Sequence, residues 1–421
     1  MASFLRSGGI YVGAAAMNAI IPFLALPPLV RTLGPEEFGK VGVYLALINI
    51  ATVVAGLSVH GIISVVHFRD GAHAVPAYVR GALRTVALTG FPLLLGCLLF
   101  APLLERLTGL AAGWVWTIAL VACAQFIVSL SMAIFQAREQ PLRYATLQVG
   151  VTAGWAALSI LLVCSAGMDW VGRALGQLIA TMVVALGALY LLHREGMLSA
   201  STGTAPLSAL LRFGLPLVPH SIAGAIMAGA DRLLLSSIGT TEMAGQYFAA
   251  FQISAVITVG AAAINQAWVP WIYRRLASPS RESAVEIVRA TFALNAALLL
   301  AALVLALAAP WIIKLVAGEH YAEAVPVLRW LAPAAAFSGM YYFVTNYLFY
   351  TGKTGVLSTI TFFTAALQVG LLLVCVPRWG ISGAGFSTLA AAMVYWMATW
   401  FAAHQVSPMP WMNAFRKGPS A

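Results

Sequence analysis

The sequence predicts an all-α polytopic membrane protein, with about twelve transmembrane helices in two pseudo-symmetric six-helix bundles. Three observations predict it. Of the 421 residues, 61% are hydrophobic and only 9% charged, with a mean hydropathy of +0.91, whereas a water-soluble globule is typically about a quarter charged. The apolar runs last roughly 20 residues and lack the alternation of barrel strands, so they read as membrane helices. Short patterns in the first half also return, in the same order, in the second.

The first span, 8–30, follows Arg6. An Ala14-x-Ala16 pair comes too soon to close a cleaved signal, and the run continues to Val30, so it reads as a retained span. It carries Pro22, Pro27 and Pro28, which predict a kink or break. The next spans fall at 41–66, 85–104, 114–136, 145–166 and 173–193. A hydrophilic connection then holds the Ser/Thr/Gly-rich stretch REGMLSASTGTAPLSALLR. This divides the chain into an N-terminal lobe, 1–193, a cytoplasmic linker, 194–213, and a C-terminal lobe, 214–421. Spans seven to twelve are expected at 214–238, 246–270, 290–313, 325–350, 355–377 and 383–404, and Pro216 and Pro219 again predict a break in the first span of the half. The segment 271–289 between spans eight and nine reads as a cytoplasmic amphipathic surface helix.

An even number of spans puts both termini on one side, and 15 of the 23 Lys and Arg fall on the N-terminal side, among them Arg6, Arg69, Arg212, Arg416 and Lys417. The positive-inside rule therefore makes both termini cytoplasmic. The net charge of +10 is a topological signal; no basic arm or nucleic-acid motif accompanies it. The four cysteines lie in apolar runs with no CxxC or neighbouring histidine, so neither a disulfide framework nor a metal site is expected. No P-loop and no catalytic constellation is present, so neither a cofactor nor an enzyme is predicted.

The repeats are short. Leu33-Gly-Pro-Glu-Glu-Phe-Gly39 after span one matches Ile238-Gly-Thr-Thr-Glu-Met-Ala-Gly245 after span seven, 205 to 206 residues on. Phe135-Gln-Ala-Arg-Glu139 after span four matches Phe349-Tyr-Thr-Gly-Lys353 after span ten, and Gly167 to Gly176 matches Gly380 to Ser387. Parallel repeats of this kind are a transporter signature. Within span seven lie Asp231 and Arg232, and ionisable residues at membrane depth are functional candidates by default. Two readings stay open for them: a wet central cavity, or a structural ion pair.

The sequence resembles the polysaccharide flippases of the multidrug/oligosaccharidyl-lipid/polysaccharide exporter superfamily, the O-antigen or Wzx type. The residues that carry the likeness are Arg31-Thr-Leu-Gly-Pro-Glu-Glu-Phe-Gly39, Leu210-Leu-Arg-Phe-Gly-Leu-Pro-Leu-Val-Pro219, Asp231-Arg-Leu-Leu-Leu235, Gln266-Ala-Trp-Val-Pro270, Gly318-Glu-His-Tyr-Ala-Glu-Ala324 and Pro377-Arg-Trp-Gly-Ile-Ser-Gly-Ala384. The resemblance implies an inner-membrane protein that turns an undecaprenyl-pyrophosphate-linked oligosaccharide from the cytoplasmic to the periplasmic leaflet by alternating access, with the bilayer and periplasmic polysaccharide polymerase machinery as partners.

A pyrophosphate headgroup calls for arginine, whose planar fork binds two oxygens and stays charged when buried. Arg232 is the first candidate for a cationic cavity, with Arg31, Arg173 and Arg329 behind it; for these three, snorkelling to the interface is the competing reading. Asp231 would neutralise Arg232 or bind a coupling cation. Asn18, Asn49, Gln252, Asn265 and Asn346 are candidates for sugar hydroxyls, against the plainer role of interhelical hydrogen bonding. The histidines His60, His220 and His404 are open between a proton relay and packing. The alternative function is a drug or organic-cation antiporter of the same superfamily, against which stands the absence of Asp or Glu in residues 8–30.

Overall fold

A computed structural model describes residues 2–199, 203–278 and 280–411, with side chains from Gly9 onward. Arg416, Lys417 and the side chain of Arg6, used above to orient the chain, lie outside the described residues, as do positions 200–202 of the linker. The described residues form helices and turns and no strands.

The first helix, α1 (Ala2–Gly56), is two spans joined without a loop. Gly34 (φ 71, ψ 171) is the one residue inside it outside helical dihedrals. Glycine supplies the positive φ, and Pro35 restarts the helix with its fixed φ and no N–H to leave unpaired. Pro22, Pro27 and Pro28 are carried with helical dihedrals, so the break lies at the glycine beyond them. Next come α2 (Ile62–Arg69), α3 (Val75–Leu99), α4 (Ala101–Thr108), α5 (Ala112–Ala137), α6 (Pro141–Ile160) and α7 (Trp170–Arg194). Then follow α8 (Leu207–Gly214), α9 (Val218–Ile238), α10 (Thr241–Ala277), α11 (Arg281–Leu307), α12 (Ala309–Val316), α13 (Ala324–Tyr350) and α14 (Thr354–Val406).

Among the described residues nine helices are long and apolar enough to cross a membrane. Two of these, α1 and α14, are double length and broken, the latter at Gly380 (φ 55, ψ −136). Counting both segments of each, and α13, which is 27 residues long, accounts for the twelve expected spans. Helix α13 is less apolar because it carries Arg329 and four tyrosines; it can do so because much of its length is buried against other helices.

Two boundaries differ from expectation. Span three starts ten residues early, at Val75, because Arg80 and Arg84 sit on the helix and not in a loop. The segment 271–289 is no separate surface helix: α10 runs to Ala277 and α11 starts at Arg281 behind a capping box of Ser280 and Ser283, which satisfies the free N-terminal donors. Span seven is broken as predicted, by a 3-10 turn over Leu215–Leu217 that contains Pro216.

Contacts group the chain into two units, Met1–Gly245 and Gln246–Ala421. Helix α9 packs along α1 within the first. There α5 is central, touching α1, α2, α3, α4, α6 and α7, and a core of Ala124, Val128, Phe135, Leu147, Ala185 and Ala188 joins α5, α6 and α7. In the second unit α13 packs against α11, α12 and α14.

The repeats show as local geometry. Gly39 and Gly245 face each other: a Cβ on Gly39 would overlap the carbonyl oxygen of Thr241 and stand 2.9 Å from the Gly245 nitrogen, and one on Gly245 would overlap the carbonyl of Pro35 and stand 2.8 Å from the Gly39 nitrogen. Shifted by 206, 35 becomes 241 and 39 becomes 245, so the contact is reciprocal. The ends of α5 and α13 carry the same cap. Gln140 N–H donates to Phe135 O and Lys353 N–H to Leu348 O, both at 2.8 Å, around left-handed Glu139 (φ 54) and Gly352 (φ 72). This is a Schellman closure, and its register is 213 residues.

Candidate substrate-binding site

Asp231 and Arg232 lie on α9 at 0% and 4% exposure. Asp231 Oδ1 accepts from the Arg232 backbone N–H at 2.7 Å and from Nε at 3.3 Å. Its second oxygen, Oδ2, is buried with no hydrogen-bond partner among the described residues. Successive residues on a helix point about 100° apart, so they meet poorly; the pair closes through the backbone and one edge of the guanidinium. Gly229, one turn back, makes room for this against α1: a Cβ there would stand 2.7 Å from Ala46 Cβ and 3.9 Å from an Arg232 Nη. The geometry is that of a shielded ion pair, closed to solvent in this conformation.

Arg173, on α7, is 5% exposed. Its guanidinium stacks 3.9 Å from the centre of the Trp155 ring and donates to Gln177 Oε1 at 3.1 Å; Gln177 in turn donates to Thr181 at 3.0 Å. No carboxylate pairs with it among the described residues, so the charge is held by a π face and an amide. Arg31 is exposed beside the Gly34 break, and Arg329 is exposed on α13 in the second unit. The four arginines are therefore in different settings, two buried and two exposed.

The amides divide likewise. Asn18 accepts from the Thr152 hydroxyl between α1 and α6, and Asn346 donates to Asn265 at 2.8 Å and to Tyr342 O at 2.7 Å. These three serve as interhelical links. Asn49 is exposed and Gln252 half-buried. Of the aromatic residues of span ten, Tyr341 stacks on Tyr395 at 4.3 Å and Tyr350 lies 5.3 Å from Tyr273. His60 meets Phe126 edge-on at 6.2 Å, and His404 Nδ1 accepts from Met409 N–H at 3.5 Å.

Two features went unread in the sequence. Glu37 bridges the α1 break to α7, accepting from Lys40 at 2.5 Å and from the Trp170 backbone N–H at 3.2 Å. A cavity of about 440 Å³ is framed by Arg69, Tyr78, Ser208 and Arg212 with Val65 and Phe213. Its arginines counted in the sequence only as topological charges, because their convergence depends on how α8 folds back.

The family model for polysaccharide biosynthesis protein matches residues 4–276. The chain belongs to that family. Two curated relatives, both from Haemophilus influenzae, span nearly all of it. One, described as an uncharacterized membrane protein, is 26% identical over 381 residues, 88% of this chain and 90% of its own. The other, Lsg locus putative protein 1, is 22% identical over 370 residues, 86% and 89%. The family fold is shared with two kinds of solved transporter. An inward-facing multidrug resistance MATE transporter of the MOP superfamily aligns over 94% of this chain and 98% of its own, with TM-score 0.79 and 16% identity. The lipid II flippase MurJ aligns over 93% and 87%, with TM-score 0.73 and 11% identity.

Proposed function

We propose that this protein is a flippase for lipid-linked oligosaccharides, moving sugar repeat units on undecaprenyl pyrophosphate from the cytoplasmic to the periplasmic leaflet of the inner membrane. It is a transporter in this reading, not an enzyme. The observation that carries it is membership of a polysaccharide biosynthesis family by a chain whose fold is that of membrane transporters. The two lobes are the repeats 1–193 and 214–421, both termini are cytoplasmic, and access alternates between the two sides. Arg232, Arg31, Arg173 and Arg329 supply cationic donors for the pyrophosphate along the path, with Asp231 as counter-ion to Arg232. Asn49 and Gln252, not engaged in the links described above, are the better placed of the amides to meet sugar hydroxyls. An anionic headgroup moving outward from a negative interior goes downhill by about 2.3 kcal/mol per charge per 100 mV when it crosses the full field, so a coupling ion is not required energetically. Periplasmic polymerisation would draw the product onward.

The test uses proteoliposomes containing a labelled undecaprenyl-pyrophosphate oligosaccharide, with a glycan-cleaving enzyme reporting which leaflet holds the sugar. Protein-dependent movement, slowed in the exposed-site variant Arg31→Gln, is the expected result. Vesicles in which no sugar moves, while an organic cation exchanges for protons or sodium, would give the case to the antiporter.

A further inference from the structure

We infer that the cavity between Arg69 and Arg212 is a binding site for the phosphate or diphosphate head of a membrane lipid. It lies where the end of α2, the start of α3 and α8 converge, and its walls are fixed by backbone. Ala205 N–H donates to Ala77 O at 3.0 Å. A Cβ on Gly81 would stand 2.6 Å from a Leu210 methyl, and one on Gly214 would strike the Leu57 carbonyl. Helix α8 is thus held close against α3 and the turn before α2. The volume, about 440 Å³, falls within the range of small-ligand sites, roughly 300–1,000 Å³.

The lining chooses the ligand class. Two arginines face the cavity and no carboxylate lines it. Arg69 spends Nε and Nη2 on Asp70, each at 2.8 Å, and keeps its other N–H donors. Arg212 is exposed and makes no ion pair among the described residues. The Tyr78 and Ser208 hydroxyls add donors that suit phosphate oxygens. A soluble anion would need nothing further, but Ile62, Val65 and Phe213 form an apolar wall. A cationic floor with an apolar flank matches an amphiphile whose chain remains in the bilayer. Arg212 and Arg232 are separated by 20 residues of α8 and α9, roughly 30 Å of helix, so this site is distinct from the buried pair and near the opposite end of the span.

If the ligand is the polyprenyl carrier, the site is where the substrate docks before translocation, and that version rests on the flippase reading. If it is a bilayer phospholipid, the site stands without it. Binding of farnesyl diphosphate to the full-length protein in detergent separates these, with farnesol as the neutral control and phosphatidylglycerol as competitor. Arg212→Gln should weaken farnesyl diphosphate about tenfold, the effect of one lost charge-assisted contact, Arg212→Lys should recover part, and farnesol should be indifferent to either. Competition by phosphatidylglycerol assigns the site to phospholipid heads in general; lack of competition assigns it to the diphosphate carrier. Unchanged binding in Arg212→Gln and in the Arg69→Gln/Arg212→Gln double variant, both melting like wild type, would overturn the proposal. The leaflet assay keeps the two ideas apart. Sugar movement indifferent to Arg212 leaves the flippase standing without this docking site, and Arg212-dependent binding without sugar movement leaves the site without the flippase.

Discussion

Asp231 and Arg232 are neighbours in sequence, and that adjacency decides their energetics. The adjacent pair Arg69 and Asp70, at a helix end, achieves two hydrogen bonds of 2.8 Å. Inside α9 the backbone is held helical, so only Nε reaches, at 3.3 Å, and Oδ2 stays unbonded. Removing one member leaves a buried charge uncompensated, which typically costs about 3–5 kcal/mol. Arg232→Gln should lower the melting temperature markedly, and adding Asp231→Asn should restore most of it. A double variant that melts normally yet fails to move sugar would assign Arg232 to transport as well as to folding. At the surface, Lys314 and Glu319 sit 2.8 Å apart beyond the end of α11. The lysine holds the carboxyl below its ordinary range, and the carboxylate holds the ammonium above its own. A depressed carboxylate contributes stability above its unfolded pKa and loses it as pH falls through the folded one. Lys314→Gln should therefore raise the Glu319 pKa toward the ordinary value, as a carboxyl-carbon NMR titration would show.

At the scale of elements, the repeats become testable. The Gly39 and Gly245 contact has no space for a methyl group, and its neighbours are backbone atoms that cannot rotate away. Gly39→Ala or Gly245→Ala should cost about 1–3 kcal/mol, the usual range for overpacking, and similar losses from the two variants are expected of a reciprocal contact. The caps at the ends of α5 and α13 predict the opposite sign. Glu139 occupies a left-handed conformation that Gly352 occupies freely at the equivalent place, and a non-glycine residue there pays about 1–2 kcal/mol. Glu139→Gly should raise stability by about 1 kcal/mol, read as a higher melting temperature; no gain would mean the Glu139 side chain is making a compensating contact. Near that cap, Glu195 at the end of α7 accepts from Arg138 at 2.7 Å and from Arg143. It thereby joins the ends of α5, α6 and α7 with charges that would otherwise repel one another.

For the whole molecule, orientation is the property to measure. In a cysteine-free background, Glu36→Cys, at the α1 break, should react with an impermeant maleimide in intact spheroplasts, and Ser199→Cys, in the mid-chain connection, only after the membrane is opened. The reverse pattern would turn the chain over and place the Arg69 and Arg212 cavity outside, away from any newly made lipid-linked sugar.

Composition and run length by themselves determined the all-α membrane class and nearly every span, since a bilayer sets the length of any helix that crosses it. Sequence also located both copies of the glycine motif and the charged pair in span seven. Tertiary structure alone decided how those residues are used. It merged spans one and two, and eleven and twelve, because a single glycine can turn the chain without a loop. It stacked Arg173 on Trp155 across two helices, and it brought Arg69 to Arg212 across more than a hundred residues. Charge and periodicity along a chain report which residues must avoid lipid, but which ones meet depends on how helices pack against one another, and that information is not local.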